Sequence, residues 1–448
     1  MPSKIIICNV DNECMLGDIG SVPRAVFEST AIISFRLLWL AKVGDVVILP
    51  RAPSPEFIEY IKKLSGIDFS AVRFVVPEQI SNSRASITGE ILLSSAVLAQ
   101  VREALATTDA TKWHLLPYYF TPAVGRFGRE IAQDFSLTQP PFNSEGGAEL
   151  LNQKTVFRKI AAGIGVPFAV GIVVNGFDEL LSAVELLLGY TGTVIIKQDK
   201  SGGGEGNYAI TSTEYCQFKG VSKVLQILNF STAEASRVVI NELATKGNEA
   251  LTVEVYYGTQ AVVYSEYHLD ENRSVDYLNH GVMRMWPLWS GFEIPGSIPA
   301  KAQSDFIHQS TKLAMLANEL GYCGHLNIDA IVTDSGEVVF TEINGRTGGC
   351  THVHVVAQHL IGCNYLNTHQ ISTFNKAFVR SLPDYLDLLT EHALHFSRQT
   401  GRGVVVLSSD QRGEIVALEL MFVGVDLDDV SKIESIARML AESIRVPY

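Results

Sequence analysis

Two short runs rich in β-branched residues, 328–332 and 338–343, are separated by Thr333-Asp334-Ser335-Gly336-Glu337. Turn residues between apolar runs of that length specify a β-hairpin. This stretch constrains the chain tightly, because a hairpin register also decides which polar side chains share a face. In a strand of period two, Glu342 and Asn344 point the same way. Asp329 stands in the first strand, within Gly324-His325-Leu326-Asn327-Ile328-Asp329, and Arg346 follows the second. Two carboxylates, an amide oxygen and a guanidinium gathered in this way suit Mg²⁺ carrying a triphosphate. The same spacing also fits a hairpin whose polar face is merely solvated.

The chain has 448 residues, enough for two to four domains with full cores. Hydrophobic residues make up 47%, which places it among globular rather than disordered chains. A net charge of −13 argues against general nucleic-acid binding, which needs a basic face, but leaves room for a local basic pocket. The apolar run 31–49 is interrupted by Arg36, Lys42 and Asp45, too charged to span a bilayer. Met1-Pro2-Ser3-Lys4 runs straight into strand-like residues 5–8 without a secretory pattern. Six scattered cysteines without a CxxC pair point to free, buried thiols in a reducing, cytoplasmic setting and away from structural zinc.

Periodicity predicts an α/β chain (an α+β grasp). Strands at 5–10, 46–50 and 74–76 alternate with helices at 25–41, 54–64 and 89–106, which suggests a parallel layer. The breaker cluster 139–147 marks a boundary. A helix over 150–163 follows, then strands at 170–174 and 193–197 with a helix at 178–188 between them. Residues 238–241 and 251–257 read as apolar strands on either side of a polar turn, and 261–268 continues their sheet. A helix over 307–320 precedes the opening hairpin. Strands at 404–408 and 415–422 and a helix over 428–445 form a small C-terminal α/β piece. The expected division is 1–145, 146–237, 238–383 and 384–448.

Ser201-Gly202-Gly203-Gly204-Glu205-Gly206-Asn207 follows the strand that ends at Lys197. Glycines let backbone N–H groups approach phosphate oxygens, and a preceding lysine adds a point charge. A mobile surface loop reads the same way. No G-K-[ST] follows, and no strand–helix junction carries G-x-G-x-x-G, so neither a P-loop nor a dinucleotide fingerprint is present. Glu242 and Glu249 lie seven residues apart around a polar turn. Such a turn can offer backbone groups to an adenine edge and a carboxylate to ribose, or can be a solvated acidic hairpin. His352-Val353-His354 has a strand-like spacing suited to a transition metal but lacks an evident third ligand. Tyr256, Tyr257, Tyr264, Tyr267 and His268 read either as an acceptor pocket or as a cross-strand ladder.

The order Lys154, Lys197, glycine loop, Glu242 with Glu249, then Asp329, Glu342 and Asn344 resembles the ATP-grasp superfamily of carboxylate–amine ligases over about residues 150–365. Residues 1–145 resemble its preceding α/β domain, 146–237 its first lobe with the lid loop, and 238–383 its second lobe. The seven-residue Glu spacing and the thirteen residues between Asp329 and Glu342 match members like the D-alanine–D-alanine ligases. The resemblance implies that Lys154 and Lys197 hold ATP phosphates, and that the loop with Gly202, Gly203 and Gly204 closes over them. It implies that Glu242, Leu243 and Thr245 line the adenine hinge and that Glu249 binds ribose. Asp329, Glu342 and Asn344 would hold two Mg²⁺ ions, with Mn²⁺ able to substitute. Arg346 would neutralise the transferred phosphoryl group.

Many of these ligases carry an Arg two residues before the metal Asp; here that position is Asn327, and Arg284 is the expected replacement. Within the superfamily the chain most resembles the pheganomycin-type peptide ligases, through Asn9-Val10-Asp11-Asn12-Glu13, Arg36-Leu37-Leu38-Trp39-Leu40 and Gly345-Arg346-Thr347-Gly348-Gly349. That implies joining an amino-acid or small carboxylate donor to an amino-acid or peptide amine through an acyl phosphate. His268 and His325 are candidate bases. Neither nucleic acid nor membrane is an expected partner, and a homodimer is in keeping with such ligases. The competing reading is a nucleotide-binding regulatory protein that keeps the grasp without turnover, which the Asn327 departure favours.

Overall fold

The computed structural model describes residues 2–17, 19–20, 27, 30–78, 86–215, 217–228 and 231–445. The expected helix over 25–41 therefore lies partly outside the described residues, as does Cys216. Among the described residues the strands form three sheets. The first contains β1 (Ser3–Ile7), β2 (Val46–Ile48), β3 (Arg73–Val75), β4 (Trp113–Pro117) and β5 (Leu137–Thr138), all parallel, in the order β3-β2-β1-β4-β5. Ile5, Ile6, Ile7, Val46, Val47 and Ile48 are all buried. Near-continuous apolar strands of this kind form when helices cover both faces of a parallel sheet. Because β2 and β4 flank β1 on opposite sides, a crevice opens beyond the carboxyl ends of β1 and β4.

The second sheet holds β6 (Gly171–Asn175), β7 (Thr193–Gln198), β8 (Asn207–Thr211), β9 (Lys223–Gln226) and β10 (Ala250–Val255), in the order β6-β10-β7-β8-β9. The third is antiparallel and larger. It holds β11 (Thr259–Leu269), β12 (Val275–Met285), β13 (Trp289–Ile294), β14 (Gly324–Thr333), β15 (Val338–Asn344), β16 (Gln370–Val379), β17 (Gly403–Arg412) and β18 (Ile415–Gly424). Its order is β15-β14-β11-β12-β13-β16-β18-β17. Along β14, Leu326, Ile328, Ala330 and Val332 are fully buried on one face, which leaves His325, Asn327 and Asp329 on the other.

Three expectations are corrected. Residues 238–241 are not a strand but part of a helix, Thr232–Leu243. Ser231 and Glu234 form a reciprocal capping box that starts it, and Ala235, Val239 and Leu243, spaced four apart, bury one stripe. Residues 261–268 do not continue the sheet of 251–257: the chain leaves β10 and enters β11 in a different sheet. The helix expected over 89–106 is two helices, Gly89–Leu92 and Ser95–Ala106, because Ser94 caps the second through Val97 N–H. Of the described cysteines, Cys8 and Cys350 are buried while Cys363 is exposed, so burial of the thiols is only partial.

β17 and β18 join the third sheet through β16, and they also pack against the first domain. Arg36 is bonded through two guanidinium nitrogens, Nε and Nη2, to Glu419 of β18. Trp39 Nε1–H donates to the Leu407 carbonyl at 2.7 Å, and Val406 N–H donates to the Tyr60 hydroxyl at 2.9 Å. No helix among the described residues is long and apolar enough to cross a membrane.

Candidate active site

The opening hairpin forms as the sequence indicates. β14 and β15 pair antiparallel with Asp329 opposite Glu342 and Asn327 opposite Asn344. A bulge follows Asp329, a device that re-aims side chains at functional edges. Asn344 Nδ2–H donates to Asp329 Oδ2 at 3.2 Å, and Arg346 Nη2–H donates to Asn344 Oδ1 at 2.9 Å. Lys154, the first residue of helix α1 (Lys154–Ile164), brings its ammonium to 3.1 Å from Glu342 Oε2. The structure thus brings together Asp329, Glu342, Asn344, Arg346 and Lys154.

Electrostatics divides the two acids. Burial, and then the facing Glu342, push the Asp329 carboxyl well above the usual range. Glu342 moves down to about 2: burial opposes this, but Lys154, the bond with Asp329 and the charge of Lys197 outweigh it. Facing carboxylates shift apart in this way because two like charges in one buried site oppose each other. The donor set fits Mg²⁺: the oxygens are hard, two carboxyl groups face each other, and the Lys154 ammonium now supplies part of the positive charge a cation would bring. Asn344 presents its NH₂ to Asp329, so its amide would turn over to offer the oxygen. Among the described residues no group of three His, Cys, Asp or Glu could hold a metal, so a site here needs the amide.

Lys197 sits differently from expectation. Its ammonium is 2.6 Å from Glu254 Oε2, and Glu254 also takes Arg158 Nη1 at 2.6 Å. All three are buried. Lys197 bears on Glu342 through its charge, which helps to hold that carboxyl down. Lys200 instead reaches the open space and pairs with Glu149 at 3.1 Å. In the glycine loop, Gly203 and Gly204 have φ of 63° and 89°, which favours glycine. A Cβ on Gly204 would fall 3.0 Å from the Gly220 carbonyl, whereas Gly202 and Gly203 face open space.

The proposed adenine and ribose residues are not brought to this centre. Glu242, at the end of its helix, accepts from Lys223 Nζ at 2.7 Å and from the Tyr208 hydroxyl at 2.6 Å on the surface. The Leu243 carbonyl already accepts from Gln198 Nε2 at 2.8 Å. The Thr245 carbonyl accepts from Asn248 N–H. Glu249 is exposed and accepts from Gly247 N–H at 2.9 Å. With 238–241 helical, these residues lie on a helix end and its turn rather than between two strands. Arg284, the expected replacement for the missing Arg, has its guanidinium paired with Glu434 at 2.8 Å and with Glu293 at 3.5 Å. His352 and His354 stand on helix α2 (Thr351–Leu360), where two residues apart means opposite sides. His354 bonds the Tyr365 hydroxyl, while His352 packs 3.9 Å from Glu419, so they share no metal. The hydroxyls of Tyr264 and Tyr267 are turned to Asn279 and Ser310 in the interior, and line no acceptor pocket.

A narrow cleft opens over this centre. Lys154, Asn344, Arg346, Lys200 and Ser201 line one wall; Cys14, Met15 and Tyr119 of the first domain line the other. It lies at the crevice of the first sheet, where Asn9 ties the carboxyl ends of β1 and β4 by bonding both backbone groups of Tyr119. Arg346 lies 5.9 Å from the centre of the Tyr118 ring. The sequence reading missed Glu254, Arg158 and Glu149, and also Glu266, a fully buried acid on β11 opposite Asn327. The one available signal was a Glu in the otherwise apolar β10 run.

Two family models match parts of the chain: one described as the pre ATP-grasp domain over residues 34–133, and one as the PGM1 C-terminal domain over 384–436. No curated protein sequence matches. Solved structures resemble the whole chain. N5-carboxyaminoimidazole synthetase from Staphylococcus aureus, complexed with ADP, is 11% identical, covers 98% of each chain and gives a TM-score of 0.56. Biotin carboxylase from Campylobacter jejuni, in a β,γ-ATP complex, is 14% identical, with 98% of this chain and 91% of that one covered and a TM-score of 0.58. The biotin carboxylase domain of the Hydrogenobacter thermophilus 2-oxoglutarate carboxylase, with MgADP and bicarbonate, is 14% identical over 95% and 87%, with a TM-score of 0.54. The chain has a pre-ATP-grasp domain, an ATP-grasp fold and a C-terminal piece.

Proposed function

We infer that this chain is an ATP-dependent carboxylate–amine ligase that forms an amide bond. The observation that carries the reading is Asp329 facing Glu342 across the hairpin, with Lys154 on Glu342 and Arg346 beside Asn344, at the head of a cleft against the first sheet's crevice. Phosphoryl transfer needs little covalent help from a protein; it needs placement and charge neutralisation. Asp329, Glu342 and Asn344 would hold Mg²⁺, which supplies positive charge to a triphosphate when bound. Lys154 would leave Glu342 for a phosphate oxygen. Arg346, beside the Tyr118 ring and released from Asn344 when that amide turns to the ion, would face the oxygens of the group in flight. The first-domain wall would exclude water from the donor carboxylate. That carboxylate would attack the γ-phosphorus, ADP would leave, and an amine would displace phosphate from the acyl carbon. Peptide-type substrates are the finer part of this reading and rest on the resemblance over residues 9–13, 36–40 and 345–349.

The test is ADP and phosphate release from Mg-ATP with paired amino acids and short peptides, products being read by mass. A product lighter by one water than the pair supports the ligase. Glu342→Gln should lower ATP consumption at least about 10²-fold, as removal of a transition-state charge partner does; near-normal turnover would refute the metal assignment. A second reading, a nucleotide-binding regulator without turnover, is favoured by Asn327 and by the engaged Leu243 carbonyl. Hydroxylamine trapping of an acyl phosphate separates the two.

A further inference from the structure

Glu266 is a carboxylate with 0% exposure on the same face of the third sheet as Asp329, one strand further in. It takes no part in the chemistry above. Asn279 Nδ2–H donates to its Oε2 at 2.7 Å, and the Thr351 hydroxyl makes a short bond to Oε1. Cys350 Sγ lies 3.4 Å from Oε2, and His325 Nδ1 lies 3.5 Å from Oε1. Two of these partners, Cys350 and Thr351, form the junction between the 345–350 turn and α2. The Thr351 hydroxyl oxygen in turn accepts from Gly348 N–H at 2.9 Å. Cys350 Sγ also reaches Asn327 Oδ1 at 2.9 Å, and a Cβ on Gly348 would collide with that amide. The turn's other side is tied to the first domain, through Thr347 N–H to the Tyr118 carbonyl at 3.0 Å. Arg346 sits in this turn, so both anchors bear on where its guanidinium points. Burial pushes the Glu266 carboxyl up, but His325 close by and the Thr351 hydroxyl bond outweigh it and hold the group below the usual range. A charged acceptor makes the stronger bond to a hydroxyl.

We propose that Glu266 is a positioning residue: through Thr351 and Gly348 it sets the 345–350 turn and hence the aim of Arg346. The proposal rests on the ligase reading for its kinetic part and stands apart from it for its structural part. Glu266→Gln, Thr351→Val and Thr351→Ser are compared with the parent chain. In folded protein, Glu266→Gln and Thr351→Val should each lower kcat about 10- to 100-fold, the usual range for residues that orient those in contact with substrate, with KM for ATP little changed. Thr351→Ser, which keeps the hydroxyl, should restore the rate, and the Glu266→Gln, Thr351→Val double variant should be no slower than either single one. Full kcat in folded Glu266→Gln, or losses that multiply in the double variant, would overturn the proposal. Should Glu266→Gln fail to fold, the two Thr351 variants carry the test. A crystal structure of Thr351→Val gives a readout that needs no turnover. A displaced 345–350 turn beside unmoved β14 and β15 supports the proposal, and an unmoved turn refutes it. A parent chain that consumes no ATP with any carboxylate would instead refute the ligase reading, leaving the turn's position to decide this one.

Discussion

Asp329 and Glu342 face each other across the hairpin, and burial beside Glu342 raises the Asp329 carboxyl, so a proton held there must leave before both acids can hold a cation. The direction of the pH effect follows. Asp329 is raised, so protons compete with the ion over a range shifted upward from the usual carboxylate one, and the competition fades as pH rises through its value. Mg²⁺ affinity should strengthen with pH by up to about tenfold per unit, and about one proton should be released per ion bound. Calorimetry in buffers of different ionisation heat measures that release; an ion bound without proton release would place it elsewhere. The group was legible in the sequence because Asp329, Glu342, Asn344 and Arg346 lie in one hairpin, where local register settles who meets whom. Glu254 and Glu266 were not legible. Their partners, Arg158 and Lys197 for one and Thr351 for the other, are 57 to 96 residues away along the chain. Nothing local announces such pairs.

At the level of elements, the helix Thr232–Leu243 shows how a short apolar run misleads. Val238, Val239 and Ile240 alone suit a strand, and only the wider window with Ala235 and Leu243 shows the four-residue spacing. The capping box then decides the start. Ser231→Ala removes the acceptor for Glu234 N–H and the hydroxyl bond to the Glu234 carboxylate, while the backbone N–H bond to that carboxylate stays. It should cost about 1 kcal/mol by urea unfolding. A cost near zero would mean that packing alone holds the helix. The consequence reaches the site reading, since a helix end carries Glu242 outward to Lys223 while a strand would have kept it in line with β10. The hairpin β14–β15 went the other way: turn chemistry and β-branched runs agreed, and the element formed as expected.

On the scale of the whole molecule, the third sheet and the first domain are held together by buried polar bonds as well as apolar packing. Arg36 and Glu419 are both nearly inaccessible, and Arg36 is also felt by Asp11 beside the cleft. Removing one partner of a buried pair leaves a charge stranded. Glu419→Gln should therefore cost about 3 to 5 kcal/mol, whereas Arg36→Met with Glu419→Met should cost much less. Chemical denaturation of the two variants checks this, and equal losses would show that the pair is not the seam's main polar tie. The Arg36 side of this seam was hidden from sequence reading, because an Arg within an apolar run reads only as an interruption.

The Arg36–Glu419 bond spans 383 residues of chain. Translation releases the first parallel sheet long before Glu419 exists, so Arg36 and Trp39 emerge into a layer whose cover has yet to be made. Long-range closure of this kind is slow and leaves apolar surface open in the interval. The nascent first domain is thus the part of this protein with most to gain from a chaperone, and its folding is completed only after the ribosome has delivered β18.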